Sequence, residues 1–173
     1  VYYSDWDRRR DDSGDLCRVE TAAGTRERLT DHGQMVEAVA LAPGEDRLAY
    51  TAIDESVSPT SRREGTLFVV DIDGSDSRPV DTDTDRPSSV GWLSGSRLLV
   101  TSHDATWTVL DADSGAVVRA DDGLAVGIDG RDVVAVEDGI PYAYPPEGER
   151  RLVLDAETPV REIAVGSGTV TFV

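Results

Sequence analysis

The segment GTLFVVDIDGSDSRPVDT, residues 65–82, decides the fold of this protein. It contains a run of strand-forming apolar residues, an Asp- and Gly-rich turn and a second, shorter run, an order that is typical of a β-hairpin. Similar segments recur as GDLCRVETAAGTRERLTD at 14–31, as ATWTVLDADSGAVVRADD at 105–122 and, more weakly, as GIPYAYPPEGERRLVLDA at 139–156. The recurrence predicts an array of one small unit rather than a fold built around a single active site.

A second pair of short apolar runs precedes three of these hairpins, and each pair is centred on a glycine. The glycines are Gly44, Gly95, Gly130 and, in a last copy, Gly168, and they are 51, 35 and 38 residues apart. These spacings bracket the ~40–45 residues of a four-stranded propeller blade. The long first interval has a plain cause, which is the polar insert at 54–65.

The apolar pattern indicates the fold class. No stretch carries apolar residues at helical spacing for three turns, and strands such as LFVV at 67–70 and RLLV at 97–100 are apolar on both faces. A two-sheet sandwich with a solvated outer face, the alternative, would show strict alternation. We therefore predict an all-β protein, a β-propeller of four-stranded antiparallel blades.

The repeats define one propeller domain over 1–173. Its blades are expected at about 1–31 (partial), 32–82, 83–122, 123–156 and 157–173 (partial). Within them, the predicted strand pairs are 36–41 with 47–52, 66–71 with 77–81, 97–102 with 105–111, and 132–137 with 150–155. The pattern starts and stops in mid-blade, so we expect an incomplete ring or a fragment of a larger propeller, with self-association through exposed blade faces. A closed four-bladed ring is the alternative.

Charge is the most unusual feature of the composition. The chain has 34 acidic and 17 basic residues, a net charge of −17, and every basic residue is an arginine. Two explanations stay open, adaptation to a high-salt cytoplasm and an ordinary acidic protein from a GC-rich genome. Either one disfavours binding to nucleic acid or to an anionic membrane, because the phosphates would meet like charge. The apolar runs are also too short to predict insertion into a membrane.

Residue types that support catalysis or metal binding are scarce. Cys17, the one cysteine, lies in a strand-like run and is expected to be a small buried apolar group. His32 and His103 fall in turns of different blades and are expected to be solvated. The run from Asp81 to Asp85 begins like a calcium loop, but Arg86 replaces the required glycine. We therefore expect no catalytic residue, no cofactor and no metal site on this chain.

Two long polar inserts offer a better functional signal. They lie at 6–15 and 54–65, and both join the second and third strands of adjacent blades, so they should project at the same end of the propeller. Their arginines form a candidate binding surface for carboxylate-bearing partners, namely Arg8, Arg9, Arg10, Arg62 and Arg63. The alternative is pairing with acidic neighbours inside each loop.

The segments LAPGEDRLAYTA (41–52) and GTLFVVDIDGSDSRPV (65–80) resemble the TolB-like, or WD40-like, propeller repeat. That repeat reads F-S-P-D-G-x-x-I-A-[FY] and then L-[WY]-[VL]-[VM]-D-x-D-G-G. Residues 1–32 resemble its later part, including the terminal Leu29-Thr30. The Ser-Pro-Asp-Gly turn has become Ala42-Pro43-Gly44-Glu45, a departure from the repeat pattern.

This resemblance implies a protein or peptide partner and two roles. One is the non-catalytic, substrate-gating propeller of a prolyl-oligopeptidase-family serine peptidase, and the alternative is a TolB-like protein-interaction module. No G-x-S-x-G nucleophile motif occurs in the sequence. The first role implies the cytoplasm of a high-salt organism, and the second implies export.

Overall fold

The computed structural model describes residues 1–4, 14–53, 65–82, 84, 86–153, 163–166 and 169–172. The regular elements in this part of the chain are 17 β-strands, and none is a helix. All strand pairings in it are antiparallel. The predicted all-β class is confirmed.

The strands form four sheets and a C-terminal hairpin, in each of which the strands follow chain order. The first sheet contains β1 (Tyr2–Ser4), β2 (Leu16–Glu20) and β3 (Thr25–Arg28). The second sheet contains β4 (Met35–Leu41), β5 (Arg47–Ile53), β6 (Gly65–Asp71) and β7 (Arg78–Val80). The third contains β8 (Pro87–Ser94), β9 (Arg97–Ser102), β10 (Thr106–Asp111) and β11 (Val117–Asp122). The fourth contains β12 (Leu124–Asp129), β13 (Asp132–Glu137), β14 (Ile140–Tyr144) and β15 (Arg151–Leu152), and the hairpin contains β16 (Ile163–Gly166) and β17 (Thr169–Phe172).

Three of the four predicted strand pairs are confirmed, and the fourth is wrong. The strand at 132–137 pairs with β12 and β14, whereas β15 pairs with β14. The cause is the tight turn at Asp138 and Gly139, where φ is 50° and 80°. Positive φ at two successive residues reverses the chain at once, so the next strand, β14, comes between the two predicted partners.

The inner strands of the second and third sheets are covered on both faces. On β5, Leu48, Tyr50 and Ala52 are buried against the first sheet, while Ala49 is buried in the core shared with the third sheet. A third core lies between the third and fourth sheets and includes Trp107. Sheets that are covered on both faces explain the continuous apolar runs, and a sandwich with a solvated outer face does not.

The sheets stack in chain order. β4 lies against β8, and β12 lies against β16. Among the described strands, no hydrogen-bonded pairing joins the first sheet to the C-terminal hairpin, as closure into a four-bladed ring would require. Four-stranded antiparallel sheets stacked in this way are the blades of a β-propeller.

The antiparallel order gives the stack two distinct ends. In the second, third and fourth sheets, turns between first and second strands and between third and fourth strands lie at one end, which we call the turn end. Connections between their second and third strands and between successive sheets lie at the other, the loop end. In the three-stranded first sheet, Gly14, just before β2, accepts a hydrogen bond from the amide of Val36 near the start of β4, so β2 begins at the loop end and the β2–β3 turn lies at the turn end. In the described residues, no helix is long and apolar enough to cross a membrane.

Candidate functional site

The arginines predicted as a loop surface, Arg8, Arg9, Arg10, Arg62 and Arg63, lie outside the described residues. The described residues that flank the two inserts, Ser4 with Gly14 and Ile53 with Gly65, lie at the loop end of the first and second sheets. The proposed role of these arginines therefore stays a prediction.

Other arginines link each sheet to the next at the turn end. In each case a guanidinium group reaches the turn between the third and fourth strands of the following sheet. Arg18 donates to the carbonyl oxygen of Ile72 at 3.2 Å. Arg47 donates to Asp113 Oδ1 at 2.7 Å, and Arg97 donates to Glu147 Oε1 at 3.3 Å. The interfaces between sheets are thus closed by charged hydrogen bonds as well as by apolar cores.

Between the second and third sheets, one carboxylate neutralises two arginines. Asp113 Oδ1 accepts from Arg47 at 2.7 Å and from Arg78 at 2.9 Å. The turn that carries it is held by Asp111, whose Oδ1 accepts from the Ser114 hydroxyl at 2.8 Å and from the amide of Ser114 at 2.9 Å. These bonds, the hydroxyl bond first, lower the pKa of Asp111. The adjoining cleft of about 470 Å³ is also lined by Asp71, so its positive charge is cancelled by the chain's own acids.

A cleft between the third and fourth sheets, here the third/fourth cleft, has a different charge balance. It encloses about 500 Å³ and is lined by Leu93, Ser94, Ser96, Arg97, Arg131, Pro146 and Glu147. Arg97 pairs with Glu147, whose side chain is 82% exposed. Among the described residues, the guanidinium group of Arg131 has no hydrogen-bond or ion-pair partner. Two cations thus face one weakly held carboxylate.

Arg119 fixes the turn that forms one wall of this cleft. Its guanidinium group donates to the carbonyl oxygens of Pro145 at 3.1 Å and Gly148 at 2.9 Å. It also lies over the ring of Tyr144, 4.9 Å from the ring centroid. Because the turn is held at both sides, the Pro146 and Glu147 wall is preformed rather than shaped by a ligand.

His32 is a residue that the sequence analysis placed incorrectly. It is half-buried, and its ring stacks on Tyr50 and Phe68 with centroid distances of 5.7 and 5.3 Å. Tyr50 and Phe68 are direct cross-strand partners on β5 and β6, so they form one aromatic surface that the connection before β4 covers. Two aromatic residues at paired positions of the predicted strands, Tyr50 and Phe68, were the sequence feature that could have predicted an aromatic surface here. His103 is exposed, as predicted.

Hydrogen bonds and burial define the protonation states of His32 and Tyr50 in this cluster. Nδ1 of His32 accepts from the Gln34 amide at 3.2 Å, which leaves the proton on Nε2 to be donated to the Tyr50 hydroxyl at 3.1 Å. Burial lowers the pKa of His32, and the charge of Asp15 opposes the shift. Burial also raises the pKa of Tyr50 to about 12. Both rings are therefore neutral near pH 7, and both imidazole nitrogens are engaged within the protein.

The remaining residues that could act as a nucleophile or as metal ligands are Cys17 and the acidic side chains. Cys17 is fully buried, as predicted, with Sγ 3.3 Å from a guanidinium nitrogen of Arg26. In the part of the chain that is described, no group of three or more His, Cys, Asp or Glu residues is arranged to hold a metal ion. Of the calcium-like run, Asp83 and Asp85 lie outside the described residues.

Comparison with known proteins supports the fold. No family model and no curated protein matches this sequence. Among solved structures, BamB from Moraxella catarrhalis matches with a TM-score of 0.54 and 15% identity, over 77% of this chain and 43% of that chain. The acylaminoacyl peptidase of Pyrococcus horikoshii matches with a TM-score of 0.63 and 13% identity, over 91% of this chain and 31% of that chain. The C-terminal WD40 domain of Sif2 matches with a TM-score of 0.62 and 11% identity, over 88% of this chain and 45% of that chain.

All three are β-propeller proteins. The predicted propeller fold is therefore confirmed by the stacked sheets and by these neighbours together. The chain spans less than half the length of each of them. At 11–15% identity the likeness concerns the fold alone.

Proposed function

We propose that this chain is a non-catalytic recognition domain for peptides or proteins. The observation that carries the proposal is the third/fourth cleft, where Arg97 and Arg131 present positive charge in an open cleft of about 500 Å³. On a chain with a net charge of −17, most arginines in the described part of the chain pair with nearby acids. A guanidinium group that is unpaired among the described residues (Arg131) beside a weakly paired one (Arg97) in a concave surface is suited to bind an anionic group of a partner.

The more specific proposal is a substrate-gating propeller of a prolyl-oligopeptidase-like serine peptidase. Two observations support it, the resemblance of residues 41–52 and 65–80 to the propeller repeat, and the structural match of 91% of this chain to an acylaminoacyl peptidase. In this role the domain would limit which peptides reach a catalytic domain, and its own residues would bind peptide without cleaving it.

A TolB-like protein-interaction module is the second candidate. The matches to BamB and to the WD40 domain of Sif2 favour it, because they cover 77% and 88% of this chain. In this role the turn end would bind a folded partner rather than a peptide on its way to an active site.

One experiment separates the two candidates. The complete natural protein is purified, treated with a fluorophosphonate probe that labels active-site serines, and compared with the 173-residue chain alone. The gating role predicts labelling of the complete protein at a serine outside this chain and no labelling of the chain. If neither protein is labelled, the gating role is contradicted and the interaction module is favoured. If a serine within the chain is labelled, both roles are contradicted.

A further inference from the structure

We propose that the third/fourth cleft binds the carboxylate of a peptide, with the guanidinium groups of Arg97 and Arg131 as its ligands. The inference rests on the proposed recognition function and adds the chemical group that is recognised. The carboxylate can be a peptide C-terminus or an Asp or Glu side chain, since both offer two oxygens to a guanidinium fork.

The neighbouring cleft shows how such a site is occupied. Arg47 and Arg97 occupy equivalent positions, because each is the first residue of the second strand of its sheet. Arg47 is met by Asp113, which lies two residues after the end of β10 and also binds Arg78. In the cleft between the second and third sheets, a carboxylate of the chain thus fills the position between two arginines.

The third/fourth cleft lacks that internal carboxylate. The residue two positions after the end of β14, equivalent to Asp113, is Pro146. The adjacent Glu147 reaches Arg97 at 3.3 Å but its side chain is 82% exposed, and Arg131 has no partner among the described residues. An exposed ion pair of this kind contributes little to stability, so an incoming carboxylate can displace Glu147 and bind both arginines.

The remaining lining residues fit a carboxylate. Ser94 and Ser96 line the same cleft, and their hydroxyl groups can donate to a carboxylate oxygen. Pro146 offers an apolar wall for the adjacent peptide backbone. The wall is held in place by Arg119 through the carbonyl oxygens of Pro145 and Gly148, so binding does not require the turn to reorganise.

Binding is tested on the whole chain with three matched blocked peptides. One carries a free C-terminal carboxylate, one carries a single glutamate with an amidated C-terminus, and one is neutral and amidated. Titrations are followed by the side-chain N–H resonances of Arg97 and Arg131. We expect the resonances to shift with one or both carboxylate peptides, and the arm that responds identifies the source of the carboxylate.

Variants separate ligand contact from fold. Arg131→Gln should weaken binding about five-fold or more, the value of roughly one charged hydrogen bond, and Arg131→Lys should restore part of it. Glu147→Gln should strengthen binding, because it removes the competing carboxylate; a structural role for these residues predicts no such gain. Arg151→Gln, on the same sheet with a side chain 61% exposed, is the control and should bind like the unmodified chain.

Three results would overturn the inference. If the neutral peptide binds as well as the others, or if Arg131→Gln binds with unchanged affinity, recognition occurs elsewhere, and the proposed function survives without this site. If none of the three peptides binds, the carboxylate site and peptide recognition both fail.

Discussion

Nε2 of His32 lies 3.1 Å from the hydroxyl oxygen of Tyr50, which lies 3.1 Å from Oγ of Ser77. This chain of hydrogen bonds connects the segment between the first two sheets to β5 and to the start of β7. The imidazole is half-buried on an aromatic surface, so its protonation state is coupled to how the connection before β4 is held against the second sheet.

The first prediction concerns acid. The folded-state pKa of His32 is lowered from 6.5, so the unfolded chain takes up this proton first as the pH falls. The contribution of neutral His32 to the free energy of unfolding is fully present above about pH 6.5 and is lost as the pH drops through that value toward the folded-state pKa. Urea unfolding at pH 7.5 and pH 5.5 should show a larger loss of stability for the unmodified chain than for His32→Gln. His103→Gln, at an exposed histidine, should behave like the unmodified chain; equal losses in all three proteins would contradict the prediction.

The second prediction concerns Asp113, which holds Arg47 and Arg78. Asp113→Asn should lower the free energy of unfolding by about 1 kcal/mol at low salt, because two partly exposed ion pairs are weakened. The loss should shrink in 1 M salt. Asp104→Asn removes an exposed charge and serves as the control, with an unchanged or slightly higher stability because repulsion in an acidic protein is relieved. Equal effects of the two substitutions would show that the ion pairs do not contribute.

The third prediction compares two turn glycines. Gly115 and Gly130 have φ of 74° and 64°, so alanine at either position costs about 1 kcal/mol for the left-handed backbone. A Cβ on Gly115 would also lie 2.5 Å from the carbonyl oxygen of Asp81, whereas nothing lies within 4 Å at Gly130. Thermal unfolding should therefore show a clearly larger loss for Gly115→Ala than for Gly130→Ala. Similar melting temperatures would mean that the connection after β7 moves away at little cost.

The fourth prediction concerns salt. With a net charge of −17, repulsion among carboxylates opposes the compact state, and added ions screen it. The melting temperature should rise by about 3 °C or more between 0.05 and 2 M KCl, which corresponds to roughly 1 kcal/mol for a chain of this size. A melting temperature that stays constant or falls would argue against adaptation to high salt.

The sequence by itself determined the strands and the way they are covered. Runs such as LFVV at 67–70 are apolar on both faces, which requires a neighbour on each side, and the turn glycines mark where strands reverse. These are local properties, because side-chain alternation and allowed φ values act within a few residues. The pair predicted for 132–137 with 150–155 is wrong for an equally local reason: the sharp turn at Asp138 and Gly139 pairs 132–137 with β14 instead.

Only the tertiary structure decided which polar groups meet. Arg47 and Asp113 are 66 residues apart, and nothing in the local pattern of either strand indicates the other. The loop arginines are adjacent in the sequence and could therefore be identified as a group from the sequence. Arg97 and Arg131 are 34 residues apart and line one cleft only because the third and fourth sheets stack. His32 was expected in solvent because it falls in a predicted turn between blades, but its ring stacks on Phe68 and Tyr50 from two other segments. The alternation of side chains along a strand determines on which face of the sheet each side chain lies. The residue that contacts it from the next sheet depends on how the sheets pack, and this packing is a property of the whole chain.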